Sequence, residues 1–287
     1  MDDTKRQRAI DLYDCFTHEG MERRAFMAEM VKVAGSVAAA ELLIAGIAAS
    51  PAAAAQVAED DPRLTTRTQT LAGGYKAYVA EPRTRSLKPT VLVIHENRGL
   101  NDHIRDVARR VALAGYRAVA PDMLSSSGGT PANEDTARDM IGKLDMARST
   151  ADAVTIVDEL AKSSRGGKVG AVGFCWGGGF VNRLAIAAGG KLAAAVPYYG
   201  PAPDPSEAPK VQAAMEFHNA GLDDRVNATS FPWITALRNA GKTVKFFLYD
   251  GVNHAFNNDT SAERYNKAAA DLAWKRTLAF FKQHLAA

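Results

Sequence analysis

Val169-Gly170-Ala171-Val172-Gly173-Phe174-Cys175-Trp176-Gly177-Gly178-Gly179 is the stretch on which the reading of this chain turns. Its first half is an unbroken apolar run of strand length. Its second half opens a segment with three-to-four-residue apolar spacing, and Gly-x-Cys-x-Gly lies at the junction. A strand that passes into a helix through so tight a turn lifts the central side chain above the sheet edge, and the flanking glycines give the backbone room to turn. In the serine form of this elbow the projecting group is a nucleophile; here it is Cys175. A thiolate is intrinsically more nucleophilic than an alcohol, and the first turn of the next helix offers partial positive charge that lowers a thiol pKa. The plainer alternative is a buried free cysteine at a strand end. No G-x-G-x-x-G aligns here, and no Gly-Lys-Ser/Thr ends a phosphate loop.

Outward from this stretch, β-rich runs alternate with helical patterns, as in a largely parallel sheet joined by crossover helices. The strand candidates are 65–70, 75–80, 90–95, 117–120, 168–174, 192–198, 211–218 and 243–249. The helix candidates are 102–114, 147–162, 176–188, 227–240 and 261–284. Runs such as Val91-Leu92-Val93-Ile94 are apolar throughout, as expected of strands covered on both faces. Gly115, Gly189-Gly190 and Gly241 stand where helices should stop, and 124–131 reads as a Ser/Gly-rich loop.

With 287 residues, 47% hydrophobic and 23% charged, the chain suffices for one large domain with an extension. The net charge of +3 is spread over the sequence, which argues against nucleic acid as a partner. Two cysteines, Cys15 and Cys175, make no disulfide framework.

An elbow nucleophile needs a base and an acid, which follow it in the order nucleophile, Asp/Glu, His. Of the six histidines, His218, His254 and His284 come after Cys175. His284 is too near the chain end and His218 precedes the acidic candidates. His254 lies in a loop after the last strand, where a base would overhang the elbow. The loop 221–226 supplies Asp223, with Asp224 as rival or as a helix N-cap. A carboxylate there can accept the imidazole N–H and leave the other ring nitrogen free to take a proton. Directly after 91–94, the polar run His95-Glu96-Asn97-Arg98 falls at the carboxyl edge of the sheet, where open α/β folds bind ligands. A Glu96–Arg98 salt bridge that only shapes the loop is the alternative. Gly99 stands where a H-E-x-x-H zinc motif needs its second histidine, so no metal is expected.

These motifs together closely resemble the dienelactone hydrolase family, of the α/β-hydrolase superfamily. Its Gly-x-Cys-x-Gly-Gly elbow matches Gly173 to Gly178, its Asp-x-x-Val loop Asp223 to Val226, and its His-x-Phe loop His254 to Phe256. The resemblance runs from about Leu64 to the C-terminus. It implies an α/β-hydrolase fold, a mostly parallel central sheet flanked by helices, and a carboxymethylenebutenolidase-like hydrolase of a small-molecule ester or lactone that needs no cofactor. It also favours Asp223 over Asp224, makes Glu96 the glutamate that contacts and activates the resting thiol, and assigns an oxyanion hole to the backbone N–H groups of Trp176 and Asn97. Arg98 is the candidate for binding substrate. One departure stands out: where the family has an arginine for the substrate carboxylate after its Pro-Asp segment, this chain reads Pro121-Asp122-Met123-Leu124-Ser125-Ser126-Ser127. The rival readings are an acyltransferase using the same thiol and a non-catalytic thiol-sensing or binding protein.

Residues 1–61 differ in composition and form an N-terminal extension to the catalytic domain, 62–287. Arg23-Arg24 before an Ala-rich run and Ser50-Pro51-Ala52-Ala53-Ala54-Ala55 resembles a Tat export signal, which implies a periplasmic protein cleaved near Ala54 or Ala55. Glu29, Lys32 and Glu41 interrupt the apolar run and support the alternative, a cytoplasmic protein with an amphipathic helix packed on the domain. The same charges leave no clean span for stable membrane insertion.

Overall fold

The computed structural model describes residues 3–48, 55–84 and 88–285. Its centre is an eight-stranded sheet of β1 (Leu64–Thr70), β2 (Lys76–Pro82), β3 (Thr90–Ile94), β4 (Arg117–Pro121), β5 (Val169–Phe174), β6 (Leu192–Tyr198), β7 (Ala214–Ala220) and β8 (Val244–Tyr249). The spatial order is β1-β2-β4-β3-β5-β6-β7-β8; β1 and β2 pair antiparallel, as do β2 and β4, and the remaining pairs are parallel. Every residue of β3 and of β5 is buried, the reason these strands read as continuous apolar runs rather than alternating ones.

Helices cover both faces. On one, α4 (Asp102–Leu113) and α9 (Lys267–Leu285) pack Val107, Val111, Phe280 and Phe281 against Val91, Val93 and Val172. On the other, α6 (Met146–Ser163), α7 (Trp176–Ala187) and α8 (Asp224–Asn239) pack Ile156, Phe180 and Trp233 against Leu92, Val119 and Phe217. Each such side chain is worth about 1.5–3 kcal/mol of burial, which fixes the sheet as a rigid platform. The chain crosses from one side of β3 to the other between β4 and β5, so the carboxyl ends of β3 and β5 flank the crevice where such sheets bind ligands.

Three elements differ from the sequence expectation. A short helix, α5 (Glu134–Ile141), capped by Asn133, stands over the carboxyl edge; its eight residues are too few for periodicity to reveal. The seventh strand starts later than expected, because Pro205–Lys210 forms a 3-10 turn before it. The strand also runs on to Ala220, so His218 is inside β7 rather than at its end. The last helix begins at Lys267, since Asn266 accepts from the Ala269 N–H and 261–266 are turns.

The extension forms α1 (Asp3–His18), α2 (Arg23–Ala34) and α3 (Val37–Ile47), with its own apolar cluster of Ile10, Tyr13, Phe16, Phe26, Met30 and Ile47. Phe16 and Phe26 stack at 4.3 Å. Gly35 ends α2 at φ 87°, Ser36 caps α3, and the two helices meet at 104°. Among the described residues no single helix is long and apolar enough to cross a membrane. The cluster is tied to the domain by Arg264 to Asp14 (3.2 Å), Arg98 to the Tyr13 hydroxyl (2.7 Å) and the Ser261 hydroxyl to the Ile47 carbonyl (2.6 Å). Ala54, at the expected cleavage point, lies outside the described residues.

Candidate active site

The elbow is as tight as its glycines require. Cys175 sits at φ 55°, ψ −117°, a conformation that costs a non-glycine residue about 1–3 kcal/mol and persists only where packing enforces it. A Cβ on Gly173 would lie 2.2 Å from the Gly177 carbonyl oxygen, and one on Gly177 2.4 Å from that of His95. The elbow thus closes onto the loop after β3 only with glycine at both positions. Cys175 is 4% exposed. Trp176 is the first residue of α7, and N–H groups there have no intrahelical acceptor.

His254 reaches the elbow from the loop after β8. Its Nδ1–H donates to Asp223 Oδ2 at 2.5 Å, while Asp223 Oδ1 accepts from the Val226 N–H at 3.1 Å. One carboxylate thereby caps α8 and orients the ring. The idea that Asp224 is the N-cap is corrected: Asp223 is the cap, and Asp224 is exposed in the first turn. Burial works to lower the His254 pKa, but the negative charge at Asp223 and Cys175 outweighs it and raises it to about 10. For Asp223, burial pushes upward and His254 more than offsets it, leaving a depressed pKa. The other ring nitrogen, His254 Nε2, is buried and has no hydrogen-bond partner.

Glu96 follows β3 and is buried. Its Oε2 accepts from Asn258 Nδ2 at 2.7 Å and its Oε1 from the Tyr199 hydroxyl at 3.5 Å, so the contact with the resting thiol that the resemblance implies is not made here, where His18 takes that place. The Glu96–Arg98 pair considered from sequence does not form, because the Arg98 guanidinium turns to Tyr13 and Asp135. His95 Nε2 accepts from the Met123 N–H and its Nδ1 faces the Glu96 carbonyl, so this imidazole ties the loops after β3 and β4 together. Asn97 lines the same crevice, and its side chain amide donates to the Thr17 carbonyl at 3.4 Å.

The residue nearest the sulfur is one that sequence reasoning missed. His18, the last residue of α1, places Nε2 3.1 Å from Cys175 Sγ and its ring edge-on to His254 at 4.9 Å. The order nucleophile, acid, base points only to residues after Cys175, so no sequence rule marks a histidine 157 positions before it. The charges within the Ala-rich run, and the spacing of Ile10, Tyr13 and Thr17, were the available signals for a helix packed on the domain. Tyr199 and Arg264 also close around the sulfur, and no motif marks either.

A cleft of about 760 Å³ opens beside the sulfur, lined among others by Cys175, Trp176, His18, Arg138 and Arg225. One guanidinium nitrogen of Arg225, Nη2, is buried with no hydrogen-bond partner.

The profile of the dienelactone hydrolase family matches residues 75–285. A protein of Escherichia coli O157:H7, provisionally named carboxymethylenebutenolidase, is 31% identical over 83% of this chain and 94% of its own length. One of the same name from Saccharolobus solfataricus is 30% identical over 72% of this chain and 93% of its own length. A crystal structure from Klebsiella pneumoniae, provisionally titled a dienelactone hydrolase, superposes with a TM-score of 0.69 at 28% identity, over 77% of this chain and 99% of that one. α1, α2 and α3 lie outside the span the family profile matches. With its sheet, its elbow and these relatives in agreement, the chain belongs to the dienelactone hydrolase family, hydrolases of the α/β-hydrolase fold.

Proposed function

We propose that the chain cleaves a carboxylic ester or lactone with Cys175 as nucleophile, His254 as base and Asp223 as the residue that orients the base. The observation that carries this reading is the Asp223–His254 hydrogen bond of 2.5 Å, which holds the proton on Nδ1 and leaves a buried, unpartnered Nε2 beside the sulfur. The Cys175 thiolate attacks the carbonyl carbon, with its proton on His254. The oxyanion develops against the N–H groups of Trp176 and Asn97, which supply charge stabilisation in a site shielded from water. Collapse to a thioester expels the alcohol, which takes the proton from His254; in a lactone it stays attached to the acyl chain. Water, deprotonated by His254, then releases the acid and the thiolate. Glu96, whose carboxylate is held by Asn258 and Tyr199, would act on the thiol only as a proton acceptor, on release from one of these partners.

The cleft suits a substrate with an anionic group. Arg225 lines the cleft and is the candidate to hold such a group, a role open in this chain because the loop after β4 carries no arginine. Arg98 is the second candidate, on release from Tyr13.

A panel of activated esters and lactones on wild type and Cys175→Ala tests the reading. The variant should fold and lose at least about a hundredfold in kcat; near-wild-type turnover would remove Cys175 from the mechanism. Added alcohol or amine separates hydrolysis from acyl transfer by the products formed.

The twin arginine supports export to the periplasm with trimming near Ala54, which would remove His18 and uncover the site. Mass spectrometry of the native-host protein tests this, and an intact cytoplasmic chain would refute it.

A further inference from the structure

The one contiguous metal motif considered from sequence fails at Gly99, but the tertiary structure assembles another donor set. A ring nitrogen of His18, a ring nitrogen of His254 and the sulfur of Cys175 lie within 4.8 Å of one another. We propose that His18, Cys175 and His254 form a binding site for one thiophilic divalent cation of the Zn2+ type, with the fourth coordination position open to the cleft.

The donors suit such an ion: a thiolate with two imidazoles favours zinc over magnesium or calcium, which take oxygen ligands. Both rings are already oriented for it. His18 Nδ1 lies 2.9 Å from the Asp14 carbonyl oxygen, which can only accept, and 2.8 Å from the Thr17 hydroxyl, whose own proton goes to the Tyr13 carbonyl at 2.9 Å; His254 Nδ1 donates to Asp223. A hydrogen bond from the far ring nitrogen to a carbonyl or carboxylate is the usual outer support of a metal-bound histidine. Both Nε2 atoms are thus turned toward the sulfur, and the thiol has one proton for two acceptors. If it serves His18, the buried Nε2 of His254 is left without a donor. If the proton moves to His254, thiolate and imidazole lone pairs face each other across 3.1 Å at His18. A cation resolves both shortages.

Binding releases one proton, from the thiol or from the His254 imidazolium, and no electron is transferred. A coordinated thiolate and imidazole are unavailable for catalysis, so the ion silences ester cleavage and pins α1 over the site. That consequence rests on the proposed hydrolytic role; the site itself does not.

The test uses the full chain, stripped by a chelator and titrated with Zn2+ and with Co2+ as a spectroscopic probe. Uptake of about one equivalent is expected, with proton release and, for Co2+, a tetrahedral spectrum carrying a thiolate-to-metal charge-transfer band. His18→Gln should weaken binding by more than the roughly tenfold to hundredfold loss typical of an outer-shell partner. Cys175→Ser should lose the charge-transfer band, and circular dichroism checks that both variants fold. No uptake by wild type, unchanged affinity in His18→Gln, or a cobalt spectrum without the thiolate band would each overturn the site. A wild-type chain that binds with all these signatures yet cleaves no ester when metal-free would uphold the site and remove the hydrolytic reading instead.

Discussion

His18 and Cys175, separated by 157 positions in the chain, face each other at 3.1 Å, with the histidine at the end of α1 and the cysteine at the strained turn after β5. The contact places a helix of the extension directly on the sulfur, so access to the sulfur depends on that helix. With a chelator present, His18→Ala should react with iodoacetamide at Cys175 at least severalfold faster than wild type. Equal alkylation rates would show that α1 does not limit access.

Asp223 and Asp224 are neighbours with different surroundings. Asp223→Asn preserves an N-cap, since Asn and Asp serve that position about equally. It nevertheless presents the imidazole with the wrong partner, which in a triad of this kind costs about four orders of magnitude in rate. Asp224→Asn, at an exposed position, should change stability by at most about 1 kcal/mol and activity little. Measuring kcat/KM for both variants on one ester decides the assignment, and a large loss at 224 with little at 223 would reverse it.

Arg225→Gln removes a guanidinium with an unpartnered nitrogen from the cleft. KM should rise for esters that carry a carboxylate and stay nearly constant for neutral esters, with kcat little changed for both. The same KM change for charged and neutral esters would assign Arg225 a merely structural part.

Burial lowers the pKa of His18, His95 and His218, whereas His254 is raised to about 10 by Asp223 and Cys175 against the effect of burial. Below the free-imidazole value of 6.5, the unfolded chain takes up protons that the three neutral rings refuse. Stability should therefore fall on acidification, by at most about 1.4 kcal/mol per pH unit for each ring. The contribution of His254 is already complete below 6.5 and fades only as the pH rises toward 10. Asp14, raised by burial, acts in the opposite direction, and Asp14→Asn removes that opposition. Urea unfolding of this variant between pH 6.5 and 5 should show a falling midpoint. A constant one would mean that the rings protonate within the fold.

Much of the domain was legible locally. All eight strands were placed, the central ones most plainly, because strands buried on both faces, such as β3 and β5, carry unbroken apolar runs. The errors fell where length or local capping decides: α5 is too short to show a period, and the start of the last helix is set by Asn266. The elbow was readable because only glycine fits at 173 and 177, a constraint written into the chain itself.

The sequence alone determined the sheet, the elbow and the family, since these depend on periodicity, on glycine at positions a Cβ cannot enter, and on residue order along one chain. The tertiary structure alone decided that one oxygen of Asp223 caps α8 while the other holds His254, that Arg98 turns away from Glu96, and that His18 closes on Cys175. Those relationships join side chains 31 to 157 residues apart, or choose between partners equally near in sequence. No local spacing encodes them: which pair meets is set by how apolar faces pack across the whole molecule, here the extension's own small core seated over the sheet's carboxyl edge.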